Sequence, residues 1–235
     1  MSERLFVVAA VFLAASLIGC VSGGPAAQSG SSRSGGTAPV SNWKKEQLKK
    51  AMSGLSYETG RVRLSPDAAK ISGPGSPAEV AAQLEKASRW LNVENEPFSA
   101  IAEATNAVIM APKNAEALYG LALALRTKGR SEEMLAALRT ALDHDPRHVA
   151  AQTLLAYTVQ SGGDYSAALS EFRKVIALDP NHAEAHERAA ILAFYLNDFA
   201  EAWRLGHRAE ALGRPLPPQF RVMLSERMPE PPKRA

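Results

Sequence analysis

The sequence predicts an all-α fold: four helix pairs in series, closed by one further helix. Three observations carry that expectation. Prolines stand at 112, 146, 180 and 215, spaced by 34, 34 and 35 residues. Aligned on them, residues 81–114, 115–148, 149–182 and 183–216 form four units, and the fifteenth position of each is a turn former: Asn95, Gly129, Gly163 and Asn197. Small or medium apolar residues recur at the twentieth position (Ala100, Met134, Ala168, Ala202) and at the twenty-seventh (Ala107, Ala141, Val175, Ala209). A fixed period of this length marks a stack in which each unit buries its apolar face on its neighbours.

The composition bounds the rest. With 46% hydrophobic residues in 235, the chain has enough to bury, so wholesale disorder is excluded. One cysteine excludes an intrachain disulfide framework and a cysteine-rich zinc site. The net charge of +3 hides an asymmetry. Residues 20–80 carry eight Lys/Arg against four Asp/Glu, residues 81–216 fourteen against seventeen, and residues 217–235 four against two.

Taken in chain order, the first element is an address. Arg4 is the only basic side chain before an uncharged apolar stretch over 5–18. Fourteen residues fall short of the roughly 20 that span a bilayer as a helix, and suit a signal-peptide core. The stretch ends in Leu17-Ile18-Gly19-Cys20, which resembles a bacterial lipobox. The resemblance implies that residues 1–19 are removed and that Cys20 becomes the lipidated first residue, with a thioether-linked diacylglycerol and an acylated, palmitate-type amine. At about 0.8 kcal/mol per buried methylene, several acyl chains anchor a protein durably. Val21 rather than Asp after the cysteine favours delivery to the outer membrane. The expected location is therefore the bacterial cell envelope, lipid-anchored and facing the periplasm.

Residues 20–78 read as a tether. The stretch 21–40 is a Gly/Ser/Ala/Pro mixture with little to bury. A short basic helix is expected near 41–52, where lysines 44, 45, 49 and 50 surround Trp43, Leu48 and Met52. It suits either an anionic surface or simple solvation as a linker helix. Residues 53–78 return to Gly, Ser and Pro and are expected to be coil.

The array is expected over 79–216. Each unit reads as two amphipathic helices, the first stopped by Gly or Asn and the second ended before proline. Ala117-Leu118-Tyr119-Gly120-Leu121-Ala122, Gly162-Gly163-Asp164-Tyr165-Ser166-Ala167-Ala168 and Ala177-Leu178-Asp179-Pro180-Asn181 carry the pattern most clearly. On these stretches the chain resembles the tetratricopeptide-repeat family, which implies a right-handed α-solenoid. Unit one departs at Asn95-Glu96-Pro97-Phe98, and unit four has Gly206 where the family usually packs a large apolar residue. A closing helix is expected over 217–228, with Phe220, Met223, Leu224 and Met228 as its covering stripe, and a disordered tail over 229–235.

Catalytic signatures are lacking: there is no G-x-S-x-G, no phosphate-binding G-x-x-x-x-G-K-[ST] and no H-E-x-x-H. His182 and His186 have the i, i+4 spacing that can hold zinc, yet no third ligand stands near them in the sequence. Asp143, Asp145 and Asp179 gather at unit ends, where carboxylates serve turns and caps. No enzyme, metal, cofactor, small-molecule substrate or nucleic-acid partner is expected.

The family resemblance implies a groove lined by first-helix positions. Position 5 gives Glu85, Tyr119, Thr153 and Glu187; position 9 gives Arg89, Leu123, Tyr157 and Ile191; position 12 gives Asn92, Arg126, Gln160 and Phe194. Leu123, Ile191 and Phe194 serve equally as core between units. Aromatic and arginine side chains dominate binding at such surfaces, and Tyr119, Tyr157 and Arg126 stand out. The implied role is a non-catalytic interaction scaffold that assists assembly of an envelope complex. Its layout is similar to pilotin-like lipoproteins of type IV and tight-adherence pilus systems, so a secretin or pilus component is the expected partner. Two other roles fit the same residues: an adaptor for an envelope protease or cell-wall enzyme, or a cell-wall or lipid-surface binder acting through 41–52.

Overall fold

The computed structural model describes residues 46–232, and within them the fold is all-α with one two-stranded ribbon. The leader, Cys20 and the first part of the basic segment (Trp43, Lys44 and Lys45) lie outside the described residues. The helices are α1 (Pro77–Asn92), α2 (Pro97–Met110), α3 (Ala115–Arg126), α4 (Ser131–His144), α5 (Val149–Ser161), α6 (Tyr165–Leu178), α7 (Ala183–Tyr195), α8 (Phe199–Ala211) and α9 (Pro218–Arg227). Two compact units divide them, the boundary falling between Arg130 and Ser131, inside the second 34-residue repeat.

The turn position behaves as its residue types dictate. Asn95, Gly129, Gly163 and Asn197 all have left-handed backbone, with φ of 52°, 65°, 85° and 62°. Glycine has no Cβ to clash there, and asparagine tolerates the region better than other side chains. Helix starts are equally legible. Ser76 and Glu79 close a reciprocal capping box on α1, with Pro77 in its first turn. The side chains of Asn114, His148, Asp164, His182 and Asp198 cap α3, α5, α6, α7 and α8. Asp145 and Asp179 accept from the amides of Arg147 and Asn181, each at 3.0 Å, which stabilises the turn at the two Asp-Pro steps.

In the N-terminal unit, α2 packs on both α1 and α3. Its buried residues are aliphatic and small: Val80, Leu84, Ala100, Ile101, Ala104, Val108 and Leu118. At Gly120 an added Cβ would stand 2.8 Å from Leu84 Cδ2, so that glycine permits a close approach to the α1 side chain.

The tether expectation needs correction here. Residues 46–51 are helical, but 53–72 are not coil. Strands β1 (Leu55–Ser56) and β2 (Arg63–Leu64) pair antiparallel, and a single helical turn at Ala68–Ile71 packs against α2. Ala51, Leu55, Val62 and Ala68 are buried. Gly54, at φ 91°, comes so near α2 that a Cβ would lie 2.6 Å from Ile109 Cδ1 and 2.8 Å from Ile71 Cδ1. The amide of Gly75 donates to the Met110 carbonyl at 3.1 Å. The physical reason is the apolar end of α2. Ile109 would otherwise meet water, and the scattered apolar residues of 51–71 cover it. Consequently the array begins at Pro77, two residues before its expected start.

The C-terminal unit stacks α4 on α5, α5 on α6, α6 on α7, α7 on α8 and α8 on α9. Its core is one cluster built around Phe172, Leu192, Trp203, Leu205, Phe220 and Leu224. Gly206, the departure noted above, is explained by Leu216: a Cβ at 206 would stand 2.4 Å from Leu216 Cδ1, so the last side chain of the repeat fills the place. Helix α9 closes the unit as expected through Phe220 and Leu224. Met223 does not share that stripe; it is exposed, one residue round the helix from Leu224. The tail differs too, because Glu230 is bonded to Arg221 and His207 rather than disordered.

Candidate functional site

The groove residues expected in the N-terminal unit separate by burial. Glu85, Arg89 and Asn92 are exposed along α1, and Arg126 is exposed at the end of α3. Arg89 faces Glu94 at 3.5 Å, and Asn92 donates to Ser88 at 3.2 Å. Tyr119 and Leu123 are buried, at 6% and 4% exposure. Burial, with Glu116 nearby, pushes the Tyr119 phenol up to about 12, so it stays neutral at any ordinary pH. Tyr119 is thus a core residue with a polar tip, which corrects its place among the groove anchors.

In the C-terminal unit the expected polar residues are engaged by other side chains and backbone of the same unit. Thr153 is buried and donates to the Val149 carbonyl at 2.8 Å. The Tyr157 hydroxyl donates to Glu184, and its ring meets Phe172 edge-on at 5.2 Å. Burial, then that carboxylate, holds the Tyr157 phenol well above the usual range. Arg188 lies over the same ring, 5.4 Å from its centroid. Glu187 is bonded by Arg214, which also lies 3.8 Å from Glu184. The Gln160 side-chain carbonyl oxygen is buried.

Ile191 and Phe194 are core. Ile191 packs on the central cluster, and Phe194 makes ring contacts with Tyr195, Phe199 and Phe220. Phe194 therefore holds the last repeat to the closing helix, and its groove assignment is corrected.

Sequence reasoning missed Arg214 and Tyr195. At the residue before proline, units two and three carry Asp145 and Asp179, whereas unit four carries Arg214. An arginine cannot make the aspartate turn and reaches instead to Glu187. That substitution was a visible signal. Tyr195 is 55% exposed and stacks with Tyr165 at 5.4 Å, an aromatic edge that only the fold assembles.

The histidines are occupied structurally. The Nδ1 of His182 accepts from the Ala185 amide at 3.2 Å, and His186 Nε2–H donates to the Pro180 carbonyl at 3.0 Å. Burial first, and then Arg208, Arg204 and His182, hold the His186 imidazole below its ordinary value against the opposing pull of that carbonyl. Among the described residues, no group of three or more His, Cys, Asp or Glu side chains is placed to hold a metal ion.

A family model described as tetratricopeptide repeat matches residues 96–133 and 154–217. Over those residues the helix pairs are similar to tetratricopeptide repeats. Solved structures with the same fold include MamA, at 19% identity and a TM-score of 0.53, covering 63% of this chain and 83% of that one. A tetratricopeptide repeat protein from Parabacteroides merdae matches at 18% identity and 0.53, covering 64% and 60%. PilF of Pseudomonas aeruginosa matches at 16% identity and 0.52, covering 64% and 66%. At these identities the likeness is one of fold. No curated protein matches this sequence. The family match leaves out α1, consistent with unit one's departure from the repeat pattern. What the comparisons share with this chain is the tetratricopeptide-repeat fold.

Proposed function

We propose that this tetratricopeptide-repeat protein is a non-catalytic scaffold of the bacterial cell envelope. It is anchored by lipid on Cys20, faces the periplasm from the outer membrane, and assists assembly or localisation of a multi-protein complex. The single observation that carries this reading is the pairing of a lipobox-like Leu17-Ile18-Gly19-Cys20 with a tetratricopeptide array in one short chain. Either feature alone is common; together they describe a binding surface delivered to a membrane face. The layout of lipobox, linker and short repeat array, similar to that of pilotin-like lipoproteins, favours a pilus or secretion-system component as the partner, by analogy of architecture.

The partner surface is the exposed set Glu85, Arg89, Asn92 and Arg126, of mixed charge and within one compact unit. An extended or helical segment with alternating charge suits it. Crosslinking and pull-down from intact envelopes tests the reading with the variant Arg89→Ala/Arg126→Ala. A partner recovered by the wild type and lost by the variant supports the surface; an unchanged partner list removes it. Separately, Cys20→Ala is expected to shift the protein from the membrane to the soluble periplasmic fraction. Unaltered fractionation would end the anchoring proposal.

A further inference from the structure

The segment that follows α9 is seated on the last repeat like a bound peptide. Beyond α9 the backbone extends at Met228, with φ −149° and ψ 122°. The indole N–H of Trp203, itself 1% exposed, donates to the Met228 carbonyl at 3.0 Å. Two residues on, the Glu230 carboxylate accepts from Arg221 Nη2 at 2.7 and 2.8 Å and from Arg221 Nε at 3.3 Å. His207 Nε2 stands 2.9 Å from the same carboxylate. Glu210, 3.7 Å from Arg221, is the neighbouring acid. Arg221, and after it His207, holds the Glu230 carboxyl below the usual range.

The receiving groups belong to α8 and α9 and do not depend on the tail for their position. Trp203 is locked in the core cluster, and its ring lies 5.5 Å from that of His207. Arg221 follows Phe220, which is packed in the same cluster. The bound carboxylate, by contrast, lies at the surface, with side-chain exposures of 40% for Arg221 and 31% for Glu230. That charged end is therefore open to competition from solvent and from another acid. A buried indole N–H, however, demands an acceptor whenever its carbonyl leaves. The site therefore has a buried donor fixed in the core, an occupant whose charged end reaches the surface, and a chemical need to be refilled.

We propose that Trp203, His207 and Arg221 form a receptor for an acidic peptide segment. The chain's own Met228–Glu230 occupies it as a strap, and an acidic segment of a partner takes its place when the strap leaves. The recognised pattern is a backbone carbonyl followed, two residues later, by a carboxylate. The proposal is independent of the surface on α1 and α3, because every group it uses lies in the C-terminal unit.

The test uses the full chain with 15N-labelled indoles, the Trp203 signal being assigned through Trp43→Phe and Trp90→Phe. Two probes are titrated, acetyl-Met-Pro-Glu-Pro-amide and its Gln counterpart. A chain ending at Arg227, which lacks the whole strap, is expected to bind the Glu peptide about tenfold more tightly than the wild type does, and about tenfold more tightly than the Gln peptide. Arg221→Gln in the shortened chain is expected to remove that preference. A shortened chain of native helicity whose Trp203 signal ignores the Glu peptide, or answers both peptides equally, overturns the proposal. Glu230→Gln keeps the full-length tail should shortening disturb α9. It is expected to bind the Glu peptide more tightly than the wild type, and binding no tighter would likewise overturn the idea.

Discussion

The two compact units obey one 34-residue register and use it differently. In the N-terminal unit the core is aliphatic and alanine-rich, and the charged side chains of α1 and α3 stay exposed. In the C-terminal unit the core carries Phe172, Trp203 and Phe220, and the polar groups at equivalent positions are consumed internally by Tyr157–Glu184 and Arg214–Glu187. A common repeat thus fixes where helices begin, turn and end, but not which surfaces remain available. One unit keeps its polar surface open. The other spends it on holding itself together.

The largest test of that contrast is in the cores. Trp203→Ala removes a fully buried ring together with its bond to Met228, and about 3–5 kcal/mol of stability is expected to go with it. Ile101→Ala, the matching change in the N-terminal core, is expected to cost about 2–5 kcal/mol, near the lower end because the alanine-rich surroundings can close in. Denaturant midpoints of both variants decide the matter. A larger loss for Ile101→Ala would break the claim that aromatic packing dominates the C-terminal unit.

Next comes the gap at Gly206. Gly206→Leu, which restores the family's usual large residue, collides with Leu216 and is expected to destabilise by about 1–3 kcal/mol. In a Leu216→Ala background the same change should cost clearly less, a coupling readable from a double-mutant cycle. Equal costs in both backgrounds would mean that Leu216 is not what fills the space.

Caps should erase the contrast between the units, because they are local. Asn114→Ala and Asp198→Ala are each expected to cost about 0.5–2 kcal/mol in thermal or chemical melts. A loss confined to one of them would show that tertiary packing, and not the side-chain bond, holds that helix start.

The smallest effect is the dependence on pH, and it belongs to the C-terminal unit. His186 is held neutral by burial, so its folded value lies below its unfolded value of about 6.5. The unfolded chain then binds the extra proton. The contribution is complete above about pH 6.5 and is lost as pH falls through the lowered folded value. His186→Gln, which places there the residue type that Gln152 provides one repeat earlier, is expected to flatten this part of the stability–pH curve. An unchanged slope between pH 7 and pH 5 would assign it to other groups.

Much of the fold was legible because its determinants are local. The four turn residues, the turn-forming Asp145 and Asp179, and the buried alanines of positions 20 and 27 each follow from residue type and spacing. The site was less legible. Position numbers named Tyr119 as a groove anchor and burial moved it into the core, while Leu123 and Phe194, left between groove and core, fall on the core side. The Gly/Ser/Pro content of 53–72 concealed a small cap whose apolar residues are too scattered to show a period.

By itself the sequence determined the repeat: prolines, turn residues and small side chains constrain backbone angles and helix approach, and those constraints act within a few residues. Tertiary structure alone decided the partners of the polar groups. Arg214 meets Glu187 across 27 residues, and Trp203 meets Met228 across 25. Those encounters depend on how helices distant in the chain are brought together, and a linear spacing carries no record of that.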